Sequence, residues 1–206
     1  MRVGVTGGMG SGKTTVCRVL ESLSIPVFYA DREVKRLYEA DAEVQASLIR
    51  AFGEDIYAGG KLNRALLAQK VFGNNAALAA LNAIAHPVVA NRFEEWVGRQ
   101  HAPCVAQEAA LIFESGAHTL FNKIITVNAP EALRIQRVEL RDGCTRSEAL
   151  CRMKHQLSDD ERTARADFCI VNDDATPLLP QILKIIGEIL NYEKNIHNLH
   201  FSSCCT

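Results

Sequence analysis

The sequence predicts an α/β protein: a five-stranded parallel sheet flanked by helices, with a helical insertion and a small lid. Three observations predict it. Five short apolar runs lack polar alternation, as strands buried on both faces of a parallel sheet do. Stretches with the 3.6-residue spacing of helices lie between most of these runs. A glycine-rich turn joins the first run to the first helix.

Arg2 to Thr6 is a β-branched run and predicts the first strand. After the glycines, Val16, Val19, Leu20 and Leu23 fall at i, i+3, i+4 and i+7, one face of a helix. "IPVFY" (Ile25 to Tyr29), "CVAQ" (Cys104 to Gln107), "KIITV" (Lys123 to Val127) and "FCIV" (Phe168 to Val171) predict the other four strands. Between the second and third runs lie roughly 70 residues without a strand-like pattern, far more than a simple crossover needs. They predict a helical insertion, broken at "FGEDIYAGGKLN", "FGNN" and "AHP", with Asn63 and Asn74 or Asn75 as helix caps. Pro130 opens a helix running to about Asp142, Ser147 to His155 returns from it, and Leu178 to Leu190 forms the last helix. The expected division is a nucleotide-binding core over 1–34, 101–130 and 164–190. An acceptor-binding domain follows over 35–100, a lid over 131–163 and an aperiodic tail over 191–206.

A chain of 206 residues, 48% hydrophobic, can bury a proper core, and one domain with an insertion is expected. The formal net charge of −1 offers no basic face, so no nucleic-acid partner is expected. No charged and apolar leader precedes "RVGVTGG", and no run approaches the ~18 apolar residues of a membrane span. Seven cysteines, at 17, 104, 144, 151, 169, 204 and 205, form neither a disulfide framework nor a paired metal motif. A cytoplasmic monomer is the expectation, with Cys204 and Cys205 as exposed free thiols.

Gly7-x-x-x-x-Gly12-Lys13-Thr14 matches G-x-x-x-x-G-K-[ST], between a predicted strand and a predicted helix. Glycines there let successive N–H groups point at phosphate oxygens, and the helix adds the positive end of its dipole. Lys13 would reach the β- and γ-phosphates and Thr14 would bind the Mg²⁺ that bridges them. This pattern marks a P-loop NTPase. A dinucleotide fingerprint could start at Gly8 and Gly10, with Asp31 on the ribose, but its third glycine would fall on Lys13. The guanine-reading N-K-x-D and D-x-x-G strings are absent, which favours ATP. An ATPase that handles magnesium with an acidic strand end remains open, because "CVAQE" ends in Glu108.

Asp31 alone reads as a turn residue. At the carboxyl end of a strand beside the phosphate loop it becomes a candidate base for an acceptor hydroxyl. Arg134, Arg137 and Arg141 share a narrow arc of one helix, and Arg146, Arg152 and Lys154 continue the basic character. Such a face is ordinarily solvated. After the fourth strand it can instead be a lid whose arginines meet the transferring phosphoryl group. His86 before Pro87 reads as a cap or a packed side chain as readily as a ligand, and Phe93 and Trp96 read as packing. Phe113 and Glu114, after the third strand, fall where a ligand crevice is expected.

Together these segments resemble the dephospho-CoA kinase family. "VGVTGGMGSGKTTV" is similar to its opening and "YAD" to its aspartate-alanine-aspartate turn. "LNRALLAQKVF" and "LNAIAHPVV" resemble its substrate-binding insertion, "EAALIFESG" the segment after its third strand, "RIQRVELRDG" its lid helix and "ADFCIVND" its last strand. The resemblance implies ATP-dependent phosphorylation of the ribose 3′-hydroxyl of dephospho-CoA, with Mg²⁺. It implies that Gly8, Gly10, Ser11, Gly12, Lys13, Thr14 and Thr15 hold the ATP phosphates, with Thr14 on the metal. Asp31 would be the base, Arg137 and Arg141 lid arginines, and Asn172 a neighbour of the adenine. Arg64, Asn82, His86, Phe113 and Glu114 would line the acceptor side. The chain departs from the family at Tyr29, where an aspartate is common, and at Glu108 and Ala110, where aspartate and proline are. Glu108 keeps a carboxylate one methylene longer. Two other readings remain: a P-loop kinase of a nucleotide or sugar acid, and a non-catalytic ATP-binding regulator.

Overall fold

The computed structural model describes the backbone of residues 1–202 apart from Phe72 and His155, and side chains over the same span apart from Asn75 and residues 192–202. It divides into two compact units, Met1–Phe28 with Gln100–Thr206, and Tyr29–Arg99.

The first unit begins with β1 (Arg2–Gly7), α1 (Lys13–Ser22) and β2 (Val27–Tyr29), the last crossing into the second unit. The second unit carries α2 (Ala30–Ala40), α3 (Ala42–Phe52), β3 (Tyr57–Ala58), β4 (Lys61–Leu62), α4 (Arg64–Val71) and α5 (Asn75–Val97). The chain returns to the first unit with β5 (Val105–Glu108), β6 (Lys123–Asn128), α6 (Glu131–Asp142), α7 (Arg146–Met153), α8 (Asp159–Arg165), β7 (Phe168–Val171) and α9 (Leu178–Ser202).

Five strands form one parallel sheet in the order β2-β5-β1-β6-β7. β1 is central, with Val5 opposite Glu108 on one side and Gly7 opposite Val127 on the other. Val3, Val5, Ile125, Val127 and Ile170 are at most 1% exposed. Their continuous apolar runs are what a sheet covered on both faces requires, and each buried side chain contributes roughly 1.5–3 kcal/mol. α1 buries Val16, Cys17 and Leu20 and contacts β1, β5 and α9, while α9 buries Ile182, Ile185, Ile186 and Ile189. Helix α9 runs to Ser202, where the sequence predicts an end near Leu190. Cys204 and Cys205 lie outside the described residues.

The second unit packs α2, α3 and α4 against α5 around Leu37, Val44, Leu48, Leu67, Val89 and Phe93. Phe93 stacks on Trp96 at 6.1 Å between ring centroids, the packing role predicted for both. Asn63 accepts from the Leu66 N–H and Asn74 from the Ala77 N–H, as expected of caps. Two features differ from expectation. β3 and β4 form a hairpin in a stretch predicted to hold no strand; Gly59 and Gly60 turn it with φ of 58° and 78°, the geometry a two-residue loop demands. Helix α5 runs through the break predicted at "AHP", with Pro87 inside it. The carbonyl that loses its donor belongs to Ala83, an exposed residue that water can reach.

Candidate active site

The phosphate loop leaves the carboxyl end of β1 and ends at Gly12, the N-cap of α1. Gly12 has φ 94°, and a β-carbon there would lie 2.0 Å from Asn172 Nδ2. Only glycine meets both conditions. Asn172, 8% exposed and just beyond β7, donates from Nδ2 to the Ser11 carbonyl at 2.8 Å, and its own N–H donates to the Asn128 carbonyl. Ser11 N donates to the Gly8 carbonyl, and Thr15 N and Val16 N both donate to that of Gly12. Lys13, 9% exposed, lays its ammonium on the carbonyls of Gly7 at 2.9 Å and Gly8 at 3.3 Å. The Ser11 hydroxyl is fully buried without a hydrogen-bond partner among the described residues. A buried hydroxyl in that condition inside a loop of backbone donors suits an anion rich in oxygen.

Thr14 Oγ1 donates to Glu108 Oε1 at 2.9 Å, joining the first turn of α1 to the last residue of β5. A hydroxyl and a carboxylate at that spacing are the hard oxygen donors that Mg²⁺ takes. Among the described residues no group of three or more His, Cys, Asp and Glu could hold a metal ion unaided. Mg²⁺ in kinases needs no such cage, since substrate phosphates complete its shell.

The arginines divide. Arg137 Nη1 donates to the Gly10 carbonyl at 3.3 Å; its Nη2 donates to the Asn172 carbonyl at 3.2 Å and to Asp174 Oδ1 at 2.5 Å. It therefore ties α6 to the loop and to the segment after β7. Arg141, one turn on, is more than half exposed and pairs with Asp142 at 2.7 Å. Arg152 reaches the same carboxylate at 2.7 Å. The Arg141 hydrogen bond, with help from Arg152, holds the Asp142 carboxyl down at about 2. α6 and α7 close over Ile135, Val138 and Ala149, with Met9 of the loop packed against them.

Phe113 is buried with Ile112 and Ile124, its ring beneath the Arg165 guanidinium at 5.2 Å. Glu114 is exposed and accepts from the Leu157 N–H at 2.9 Å. Gln156 Oε1 accepts from the Met9 N–H at 2.7 Å, which fastens the turn before α8 to the phosphate loop.

Within the second unit, Asp31 is the second residue of α2, directly after β2, and is exposed. Arg64 opens α4 and pairs with Glu39 at 2.6 Å. Asn82 and His86 are one turn apart on α5, and partial burial lowers the His86 pKa.

Two residues against the loop stand apart from the predicted set. Arg134 shares the arc of Arg137 and Arg141 that reads as a solvated face or a lid, without an individual role, and Arg162 carries no motif of its own; both lie against Gly8. The clue available for Arg162 was the capping box at Ser158 and Glu161, which starts α8.

A central strand, a glycine loop with its lysine and threonine, and an acidic strand end together define a nucleotide-binding kinase of the P-loop class. The family model for dephospho-CoA kinase matches residues 1–177. The chain belongs to the dephospho-CoA kinase family. It is 37% identical over 202 residues to the dephospho-CoA kinase of Bacteroides fragilis, covering 97% of this chain and 96% of that one. The crystal structure of a Thermus thermophilus protein superposes with a TM-score of 0.81 at 34% identity, covering 93% of this chain and 97% of that one. Dephospho-CoA kinase from Campylobacter jejuni gives a TM-score of 0.64 at 25% identity, over 91% and 96% of the two chains. No helix among the described residues is long and apolar enough to cross a membrane.

Proposed function

We propose that this chain transfers the γ-phosphoryl group of ATP to the ribose 3′-hydroxyl of dephospho-CoA, giving coenzyme A and ADP. The observation that carries the reading is the Lys13 loop with its Thr14–Glu108 pair, in a chain of the dephospho-CoA kinase family. Loop N–H groups and Lys13 orient the polyphosphate of ATP and draw charge from its oxygens. Thr14, with Glu108 beside it, would hold Mg²⁺, which would supply charge neutralisation at the phosphate oxygens.

The acceptor oxygen forms a bond to the γ-phosphorus as the bond to the β,γ-bridging oxygen breaks, and ADP leaves with that electron pair. The proton of the hydroxyl passes to the Asp31 carboxylate. Asp31 follows the carboxyl end of β2 in a parallel sheet, the kind of position at which such folds handle ligands, and this supports the assignment. Arg137, already on the Gly10 carbonyl, supports a role beside the phosphates, and Arg141 one on closure of the α6–α7 hairpin. Asn172 would flank the adenine. Arg64, Asn82, His86, Phe113 and Glu114 are proposed for the acceptor side.

The deciding experiment supplies Mg-ATP with dephospho-CoA, AMP or a sugar acid and follows ADP and phosphorylated product. Product from dephospho-CoA is expected. ADP release dependent on AMP alone would overturn the reading.

A further inference from the structure

Arg134 and Arg162 come from the first turn of α6 and the middle of α8, and both reach Gly8 of the phosphate loop. Both are buried, 8% and 1% exposed. A β-carbon on Gly8 would sit 2.0 Å from Arg134 Nη1 and 2.9 Å from Arg162 Nη2, so both guanidiniums abut the loop backbone. A single carboxylate answers them: Asp159 pairs with Arg134 at 3.3 Å and with Arg162 as well. Arg162 also donates to the Leu157 carbonyl. The Nε of each arginine is buried without a hydrogen-bond partner among the described residues. Arg137, the next cation along α6, is balanced by its own carboxylate, Asp174.

Two guanidiniums against one carboxylate leave a positive charge out of water, which is costly unless a further anion answers it. We propose that the Arg134–Asp159–Arg162 triad is a buried cationic backing for the phosphate loop, and that the polyphosphate bound on the loop is the anion that balances it. The proposal rests on the loop being a nucleotide site and not on the identity of the acceptor. Residues that only shaped the loop would, on removal, weaken every ligand of the site alike. A charge acts in proportion to the charge it meets.

The test compares ADP with adenosine, measured by titration calorimetry on the full chain. Arg162→Met leaves Arg134 and Asp159 as a neutral pair; it should weaken ADP about tenfold and change adenosine less than about twofold. Arg162→Lys keeps the charge and should retain ADP affinity within about threefold. Asp159→Asn removes the carboxylate that pairs with both arginines: the ligand-free protein should melt earlier, and ADP should raise its melting temperature by more than it raises that of the unaltered chain. Equal losses of ADP and adenosine in Arg162→Met would overturn the proposal. So would weaker ADP binding in Asp159→Asn, which serves alone if Arg162→Met does not fold. Failure of dephospho-CoA to act as acceptor would leave these outcomes untouched.

Discussion

The Thr14 hydroxyl donates to Glu108 Oε1 across 2.9 Å, so the first turn of α1 and the carboxyl end of β5 present their oxygens as one pair. Thr14→Ala and Glu108→Gln should each raise the Mg²⁺ concentration for half-maximal rate by about tenfold. Titration of Mg²⁺ at fixed ATP measures it. An unchanged Mg²⁺ requirement in both variants would remove the pair from metal handling.

At Gly12, strain and space act together. Alanine there would carry φ 94° and a methyl group 2.0 Å from Asn172 Nδ2, breaking the bond from Asn172 to the Ser11 carbonyl. The left-handed conformation alone costs about 1–2 kcal/mol, and the displaced amide adds to it. Gly12→Ala should therefore lower the melting temperature and abolish the rise that ADP produces, as thermal unfolding with and without ADP would show.

For Asp31, binding and turnover should separate. Asp31→Asn is expected to bind ATP almost normally and turn over about 10²-fold more slowly. Equilibrium binding and kcat measured on the same preparation decide it, and undiminished turnover would take Asp31 out of the mechanism.

Asp142 gives a pH-dependent prediction. The Arg141 and Arg152 contacts hold its carboxyl at about 2, below the ordinary value near 4. The folded chain therefore binds fewer protons at this site than the unfolded one in that range. The stabilisation is full above about pH 4 and is lost as the pH falls towards 2. A largely solvated pair of this kind is worth at most about 1 kcal/mol. Asp142→Asn should lower the urea midpoint slightly at neutral pH, and the gap to the unaltered chain should shrink below pH 4. A gap that is constant with pH would mean that the carboxylate charge is not what stabilises.

The strands were legible because each carries its own signal. β1, β2, β6 and β7 are rich in β-branched or aromatic residues, β5 is announced by Cys-Val-Ala at its start, and all five appear within a few residues of expectation. Strand order was not legible, since the register of β1 against β5 and β6 depends on chain segments about a hundred residues apart. The hairpin of β3 and β4 has two residues per strand, too few for any alternation, although Gly59-Gly60 was a usable turn signal. α8 was missed for a different reason: its fully buried side chain is Arg162, so the helix has no apolar face to detect.

The site shows the same division. The phosphate loop is encoded locally, because its chemistry is backbone chemistry and glycines specify backbone. Glu108 was ambiguous until its carboxylate met Thr14. Arg137 and Arg141 occupy one helical arc in the sequence, yet one rests on the loop and the other pairs with Asp142, a distinction set by where α6 crosses the loop.

Gly8 differs from its neighbours in the loop in a way that genetics can read. Its backbone lies outside the left-handed region, so alanine is opposed there by the Arg134 and Arg162 guanidiniums and not by its own torsion angles. Gly10, at φ 79°, would instead strike the Arg134 main-chain carbonyl. A Gly8→Ala misfit should thus be open to second-site relief by shorter side chains at positions 134 and 162, whereas a Gly10→Ala defect should have no suppressor at position 134. The two lesions, two residues apart in one motif, belong to different classes of heredity: one is relieved by trimming the side chains it meets, and the other is not, because it meets main chain.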